Sequence, residues 1–363
     1  ARGLLFHPRN KNISLGALTE AIYYSQVQGG EPAPGLLDEL RRIMDHCTAC
    51  GKCQGVCPVK IDSAGAALQI RSFLEYKGKG GHPIKTALLT HLAEDPSNRL
   101  PKVAKFLSLG QAAANSVLGP VLGLVPGHFR RRLESPALQG PGPLIDLRNL
   151  SQELGLAEHS LFRNPAATFD ETVLYFPGCG AGLFSHDIGL AGVFLLLKAG
   201  VNVVLPDRHL CCGYPLLASG CTEAYGTNRH RTIQAILDTL ISTGRAGMKA
   251  TTLVTSCGTC REAIETFDFS QELSEPLKHQ DIVQFLLGRL DFSTGTGPKP
   301  VAGEGGEAVL YHAACHAEWV DVPKVKAPEI YRKALADALG AKVRLSPGCC
   351  GESGLGALTS PAI

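Results

Sequence analysis

The sequence predicts an α+β protein overall: an all-α N-terminal domain followed by duplicated α/β modules with parallel strands. Three observations predict it. Up to about residue 165, apolar residues recur at helical spacing and strand signal is almost absent. From about Asp170, short β-branched runs alternate with helical segments, the pattern of a parallel sheet flanked by helices. One register of strand, Cys, helix, Gly, strand and Cys-Cys-Gly also occurs twice, which reads as a duplication.

The elements follow in order. Residues 13–28 and 36–46 read as helices, separated by Gly29-Gly30 and by Pro32 and Pro34. A third helix, 64–77, ends in the glycine-rich turn 78–81, and further helical patterns cover 84–93 and 101–118. Proline and glycine then interrupt 120–143. Thr172–Phe176 is a β-rich run ending in Pro-Gly-Cys. Helix 188–199, strand Val201–Leu205, helix Thr222–Ser242 and strand Thr251–Thr255 follow, then helices Glu262–Phe267 and Asp281–Leu290. Residues 292–306 are a Gly/Pro linker without periodicity.

After the linker the pattern restarts. YFPGC, ending at Cys179, matches YHAAC, ending at Cys315, and KAGVNVVLPDRHLCCG matches ALGAKVRLSPGCCG. The gaps agree too: 31 residues separate Cys179 from Cys211, and 33 separate Cys315 from Cys349. The expected division is a helical domain over 1–100, a connecting region over 101–168, a first cysteine-rich module over 169–291, the linker 292–306, and a truncated second module over 307–363.

The chain has 363 residues, 44% of them hydrophobic and 19% charged, enough to bury a sizeable core and to exclude wholesale disorder. A formal net charge of +2 requires no nucleic-acid partner. Its 41 glycines and 23 prolines demand many sharp turns. Phe106–Pro126 is the best membrane-span candidate, but Gln111, Asn115 and Pro120 interrupt it. It reads as a packing helix with a turn at Gly119-Pro120. The alternative is an interfacial helix held on an anionic surface by Lys102, Lys105 and Arg130–Arg132. The chain starts at Ala1 and stops at Ile363, soon after a cysteine motif, which reads as a fragment of something longer or as a trimmed chain.

Thirteen cysteines stand in clusters, and no charged-then-apolar export signal precedes them. Such cysteines read as metal ligands rather than disulfides. Cys47, Cys50, Cys53 and Cys57, in CTACGKCQGVCP, have the bacterial ferredoxin spacing of a [4Fe-4S] cluster. A tight loop with Gly51 can wrap three soft thiolates round one face of a cubane, and Pro58 turns the chain away. A structural zinc site is the alternative, although zinc more often takes two Cys-x-x-Cys pairs separated by a longer loop. In two-cluster ferredoxins the fourth cysteine serves the other cluster. The expectation is therefore a sister motif upstream of Ala1, or else a distant cysteine that completes the first cube.

Cys179, Cys211, Cys212, Cys257 and Cys260 each fall at the end of an expected strand or in the turn after it. In a parallel sheet those ends converge on one edge. Adjacent Cys211-Cys212 suits bridging two irons of a larger cluster, with Gly213 and Gly258 allowing tight turns beside sulfide. Here the chain resembles the cysteine-rich CCG domain found in the B and D subunits of heterodisulfide reductase. That domain also occurs in the iron–sulfur subunits of glycolate oxidase, anaerobic glycerol-3-phosphate dehydrogenase and the lactate-utilisation proteins. The resemblance runs over nearly the whole chain, a ferredoxin motif and then two CCG modules.

It implies a noncubane [4Fe-4S] cluster on Cys179, Cys211, Cys212, Cys257 and Cys260, although the 44 residues between Cys212 and Cys257 exceed the spacing in those reductases. It also places Cys315, Cys349 and Cys350 in a second module lacking its Cys-x-x-Cys, by truncation or by degeneration. HPRNKNISLGALTEAIYY is similar to the stretch before the last ferredoxin motif in large bacterial proteins that fuse an FAD-linked oxidase to such a unit.

Cys221 fits no motif and reads as a buried thiol. His46, His209, His312 and His316 flank ligand candidates, and Lys52 lies inside the ferredoxin loop; packing or solvation is the reading for each, the alternatives being hydrogen bonds to cluster sulfur or proton carriage for His312 and His316, tuning of a potential for His46 and His209, and docking of an acidic partner for Lys52. No dinucleotide fingerprint or P-loop is present, so flavin chemistry belongs to another domain or subunit. The reading is an oxidoreductase module that passes electrons from an FAD-linked dehydrogenase of a 2-hydroxy acid or similar substrate, through [4Fe-4S] and the CCG cluster, to a quinone or other acceptor. The alternative is a disulfide reductase whose CCG cluster is catalytic; a zinc scaffold is the non-redox option. The expected place is the cytoplasm, with peripheral contact at the inner membrane left open.

Overall fold

The structure is a computed structural model describing residues 7–30, 33–81, 83–122, 161–163, 171–270, 273, 275–287, 289–290, 309–316 and 327–346. Cys349, Cys350, the linker 292–306, Arg130–Arg132 and the interruption from residue 123 onward lie outside the described residues.

Six helices come first: α1 (Pro8–Val27), α2 (Pro34–Asp45), α3 (Lys52–Val56), α4 (Ser63–Tyr76), α5 (Pro83–Glu94) and α6 (Pro96–Leu122). Proline opens four of the six, where its missing N–H costs nothing. Asp62 caps α4, its carboxylate accepting the Gly65 N–H at 2.8 Å. Helices α1, α2 and α4 close round Leu18, Leu40, Ile43, Met44, Ala67, Ile70 and Leu74. Helix α6 continues across Gly119-Pro120, where the sequence suggested a turn. Pro120 lies in the last turn, so only one backbone bond is forfeited. Among the described residues no helix is long and apolar enough to cross a membrane.

The second half is a three-layer α/β unit. Its strands are β1 (Leu161–Phe162), β2 (Thr172–Phe176), β3 (Asn202–Val204), β4 (Ala250–Thr255) and β5 (Lys278–Asp281), in the order β1-β3-β2-β4-β5. Neighbours from β3 to β5 pair in parallel, while β1 pairs antiparallel with β3. The helices are α7 (His186–Lys198), α8 (Tyr214–Ser219), α9 (Thr222–Arg245), α10 (Gly258–Ile264) and α11 (Ile282–Leu287). Successive residues of β2 point to opposite faces. Leu174 and Phe176 join Ile233, Ile236 and Ile264 of α9 and α10 on one side. Val173 and Tyr175 join Val193, Leu196 and Phe285 of α7 and α11 on the other. Burial on both faces explains the unbroken apolar run TVLYF.

The strands of 172–176, 202–204 and 250–255 stand where the sequence put them, but β1 and β5 do not. β1 is two residues long. β5 reads Lys-His-Gln-Asp, a polar edge strand that no apolar pattern announces, and it takes the first residue of the helix expected over 281–290. Two further strands, β6 (Val309–Tyr311) and β7 (Val343–Leu345), pair in parallel as a separate sheet with α12 (Ala327–Leu339) between them in sequence. Tyr331 of α12 stacks on Tyr311 at 6.1 Å and hydrogen-bonds buried Asp281, which ties this small sheet to β5.

His279 of β5 shares a 3.2 Å hydrogen bond between its Nε2 and the buried Thr255 hydroxyl, while its buried Nδ1 has no partner among the described residues. Burial, and then the Arg261 guanidinium, push its pKa down to about 4. The folded chain thus refuses a proton that the unfolded chain accepts near pH 6.5, and stability falls as pH drops from about 6.5 to about 4. We expect His279→Gln to remove on the order of 2 kcal/mol of that acid sensitivity, read from urea midpoints at pH 7.5 and pH 5.

Candidate metal centres

Two cysteine-rich sites are built, one in each half. In the first, α2 ends at Asp45 and the chain turns through Cys47–Gly51 into α3. Ala49 and Gly51 both take left-handed φ, 54° and 66°, which folds the loop tightly enough to bring Cys47, Cys50 and Cys53 to one side. All three act electrostatically on Lys11 of α1, a lysine only 8% exposed. Burial holds the Lys11 ammonium below its usual range, and the three sulfurs oppose that shift, Cys47 most strongly. Cys57 has other surroundings. Its sulfur accepts backbone N–H groups of Ile61, Val59 and Lys60, which lower its pKa.

The second site stands at the C-terminal edge of the sheet. Cys179 follows β2, Cys211 and Cys212 follow β3, and Cys257 and Cys260 follow β4, so three adjacent parallel strands deliver five thiols to one edge. Hydrogen bonds join the thiols in one chain, Cys179 to Cys211 to Cys212 to Cys260 to Cys257. Cys211 and Cys257 act as acceptors alone, and Cys212 both donates to Cys211 and accepts from Cys260. The Cys179 thiol holds Cys211 well below the usual range, and the Cys260 thiol brings Cys257 to about 6. The donors go the other way: Cys179 and Cys212 are raised chiefly by Cys211, and Cys260 by Cys212 and Cys257. Binding of a metal group by all five would release the protons on those three donors.

The frame around these sulfurs is stiff. Asn228 and Thr232 of α9 each donate to the Cys211 carbonyl at 2.9 Å. The Tyr175 hydroxyl bonds Ser256 at 2.9 Å, and Ser256 donates to the Pro177 carbonyl, joining the β2 and β4 loops. Gly178 has φ +68°, and a Cβ there would lie 2.8 Å from the Cys260 sulfur. Gly213, at φ +78°, makes the tight turn its position suggested, and its N–H reaches the Cys211 sulfur at 3.4 Å. Gly258 differs. It opens α10, and a Cβ would run into the His316 carbonyl, so this glycine serves a close approach rather than a turn.

Several residues emerge only in three dimensions. His209, which the sequence left as a packing residue, has its Nε2 at 3.5 Å from the Cys179 sulfur. His316 shares a short hydrogen bond with Glu262 and brings the loop carrying Cys315 against α10. Cys221 is buried beside Ala93, Leu216 and Tyr225, away from both sites. Arg71 of α4 donates to the carbonyls of Met44 at 2.6 Å, of Cys47, and of Ala218 on α8 at 2.7 Å. A lone arginine between Ile70 and Phe73 in the helix SAGAALQIRSFLEY was the signal available in the sequence.

Among the described residues no three His, Cys, Asp or Glu side chains are arranged to hold a single ion. The five thiols form a line instead. An all-sulfur donor set strung over three loops, with a glycine backbone passing a sulfur at contact distance, suits a polynuclear iron–sulfur group better than one metal ion.

Residues 173–265, which span all five thiols, match the profile of the cysteine-rich CCG domain. This segment is similar to that domain. The chain is 25% identical over 288 residues to the B subunit of fumarate reductase (CoM/CoB) from Methanothermobacter marburgensis, a match covering 74% of this chain and 51% of that protein. It is 19% identical over 328 residues to the probable glycolate oxidase iron-sulfur subunit of Bacillus subtilis, covering 88% and 69%. It is 25% identical over 191 residues to lactate utilization protein A of Shouchella clausii, covering 53% and 76%. The chain thus spans about half the length of the fumarate reductase subunit. No solved structure matches it.

Arg71 ties the first cysteine loop, through the Met44 and Cys47 carbonyls, to α8 of the second half, through the Ala218 carbonyl, while its own Nε is buried without a partner among the described residues. We expect Arg71→Met to destabilise the fold by about 3 kcal/mol, because it strips a charged donor from carbonyls left half-buried. A lowered urea midpoint, with increased proteolysis at the 46–58 loop, is the outcome to look for.

Proposed function

We propose that the chain is the iron–sulfur electron-transfer part of an oxidoreductase, taking electrons from a flavin-linked dehydrogenase and passing them to a quinone or comparable acceptor. One observation carries this reading: two separate sulfur-rich sites lie in one chain, joined by Arg71, with no dinucleotide fingerprint beside either. A single catalytic metal needs one site. Relayed one-electron transfer needs two.

Cys47, Cys50, Cys53 and Cys57 would hold a [4Fe-4S] group in the first, and Cys179, Cys211, Cys212, Cys257 and Cys260 a second, noncubane group in the CCG domain. Cys315, Cys349 and Cys350 would belong to a second, incomplete module, supported by the parallel pairing of β6 with β7. A bound iron–sulfur group supplies storage of one electron at a time. The chain's own residues do the rest. Lys11 and Arg71 place positive charge beside the first loop. His209 sits within reach of the Cys179 sulfur. The helices exclude water from the buried Cys212 and Cys260 thiols. Similarity to a glycolate oxidase subunit and to a lactate utilization protein supports a 2-hydroxy acid as the partner's substrate.

Anaerobic purification followed by iron, sulfide and zinc analysis tests the reading directly. We expect about eight irons per chain, four for each group, and two distinct EPR signals. Cys212→Ser should remove the second signal and about half the iron while leaving the first. Zinc without iron would overturn the proposal. Reoxidation by a quinone analogue is the expected behaviour; reoxidation by a disulfide alone would make the CCG site a reductase centre instead. Lys11→Met should lower the midpoint potential of the first signal, because a nearby positive charge favours the more negative, reduced state. A redox titration that finds equal potentials would rule that role out.

A further inference from the structure

The two sulfur-rich loops meet at one side chain. Tyr214 stands two residues after Cys212, is the first residue of α8, and is 6% exposed. Gly213, at φ +78°, turns the backbone so that the ring leaves the CCG site toward the other half of the chain. The Tyr214 hydroxyl donates to the Ala49 carbonyl at 3.5 Å. Ala49 lies between Cys47 and Cys50, and both of those sulfurs act electrostatically on Tyr214. On its other side the ring meets His316 edge-on at 5.2 Å, the residue packed against Gly258 between Cys257 and Cys260.

A path of covalent bonds therefore runs from the Cys212 sulfur through Gly213 to the Tyr214 ring. One hydrogen bond then reaches the loop between Cys47 and Cys50. A phenylalanine would fill the same apolar space; the hydroxyl adds only the link to Ala49. Arg71 bonds the Cys47 carbonyl to Ala218 a turn further along α8, so the link is held at fixed register.

We infer that Tyr214 is the positioning residue that couples electron exchange between the Cys47–Cys57 loop and the five-thiol site, an inference that rests on the two-cluster reading above. The step balances simply. With both groups bound, one electron would leave the reduced group held by the first loop and enter the oxidised group held by the CCG cysteines. No bond is made or broken and no proton moves, and the reductant is the partner's reduced flavin.

The experiment uses the full chain with its iron–sulfur content restored, photoreduced flavin as electron donor, and freeze-quench EPR to follow each signal. Tyr214→Phe keeps the ring and removes the hydroxyl. It should keep iron content, both midpoint potentials and the distance-dependent dipolar interaction between the two reduced centres, while slowing transfer severalfold, because the link from ring to Ala49 then crosses a gap in place of a hydrogen bond. Tyr214→Leu removes the ring contact too and should slow transfer further. Equal transfer rates in the wild type and both variants, at unchanged potentials, would overturn the role of Tyr214 and leave the two-cluster reading intact. A weakened dipolar interaction in Tyr214→Phe would show that the two centres had moved apart, so that the hydroxyl acts through spacing alone, and would overturn the coupling role. A wild-type chain with a single iron–sulfur group would remove the two-cluster reading and this inference with it.

Discussion

Parallel pairing of β3, β2 and β4 is the constraint on which both halves of the molecule depend. Parallel strands all end at the same edge, and each must be followed by a crossover before the next begins. The loops that leave three adjacent strands are therefore neighbours in space although 77 residues separate Cys179 from Cys257 in number. Antiparallel pairing would have sent alternate loops to opposite ends and scattered the thiols. The same edge also sets the start of α8, and with it the contact that carries the first cysteine loop. Remove the parallel register and the sulfur line, the Tyr214 contact and the Arg71 clamp all lose their support.

Close approach is the second constraint, and glycine meets it in different ways. At Gly213 the requirement is conformational, since φ +78° is a region L side chains rarely adopt. At Gly258 the requirement is space, because the His316 carbonyl occupies the volume a side chain would fill. The first belongs to the sulfur loop itself. The second belongs to a contact with a segment 58 residues further along, which no local reading of Cys-Gly-Thr-Cys discloses.

That difference explains what was legible in the sequence. The central strands were readable because burial on both faces leaves an unbroken apolar run. The helices were readable from their period, and the five CCG cysteines from the rule that loops after parallel strands converge. β5 was not readable, since Lys-His-Gln-Asp at a sheet edge owes its pairing to the backbone of β4 and not to its side chains. Lys11 was not readable either, because one lysine near a helix start looks like any solvated lysine, and its burial comes from α4 and the 47–53 loop folding over it. Tyr214 adjoined the double cysteine in plain view. Its role depends on Ala49, 165 residues away, and only the packing of α4 against α8 brings them together.

Charge placement joins these threads. The net charge of +2 says little about function, but two cations have a definite place. Lys11 and Arg71, both drawn into the helical half, stand beside the loop of Cys47, Cys50 and Cys53. A buried ammonium without a counter-charge is costly, so Lys11 is stable there only if the loop carries negative charge. A sulfur-ligated group of net negative charge on that loop would supply it. The same argument bears on the alternation at the CCG site, where neighbouring thiols, with backbone N–H groups behind them, favour the ionised form of Cys211 and Cys257. Five thiolates that close together would repel strongly in so dry a setting. Metal ions at the centre of the sulfur line would remove that repulsion, which makes the donor set coherent as a cluster site and strained as a set of bare thiolates.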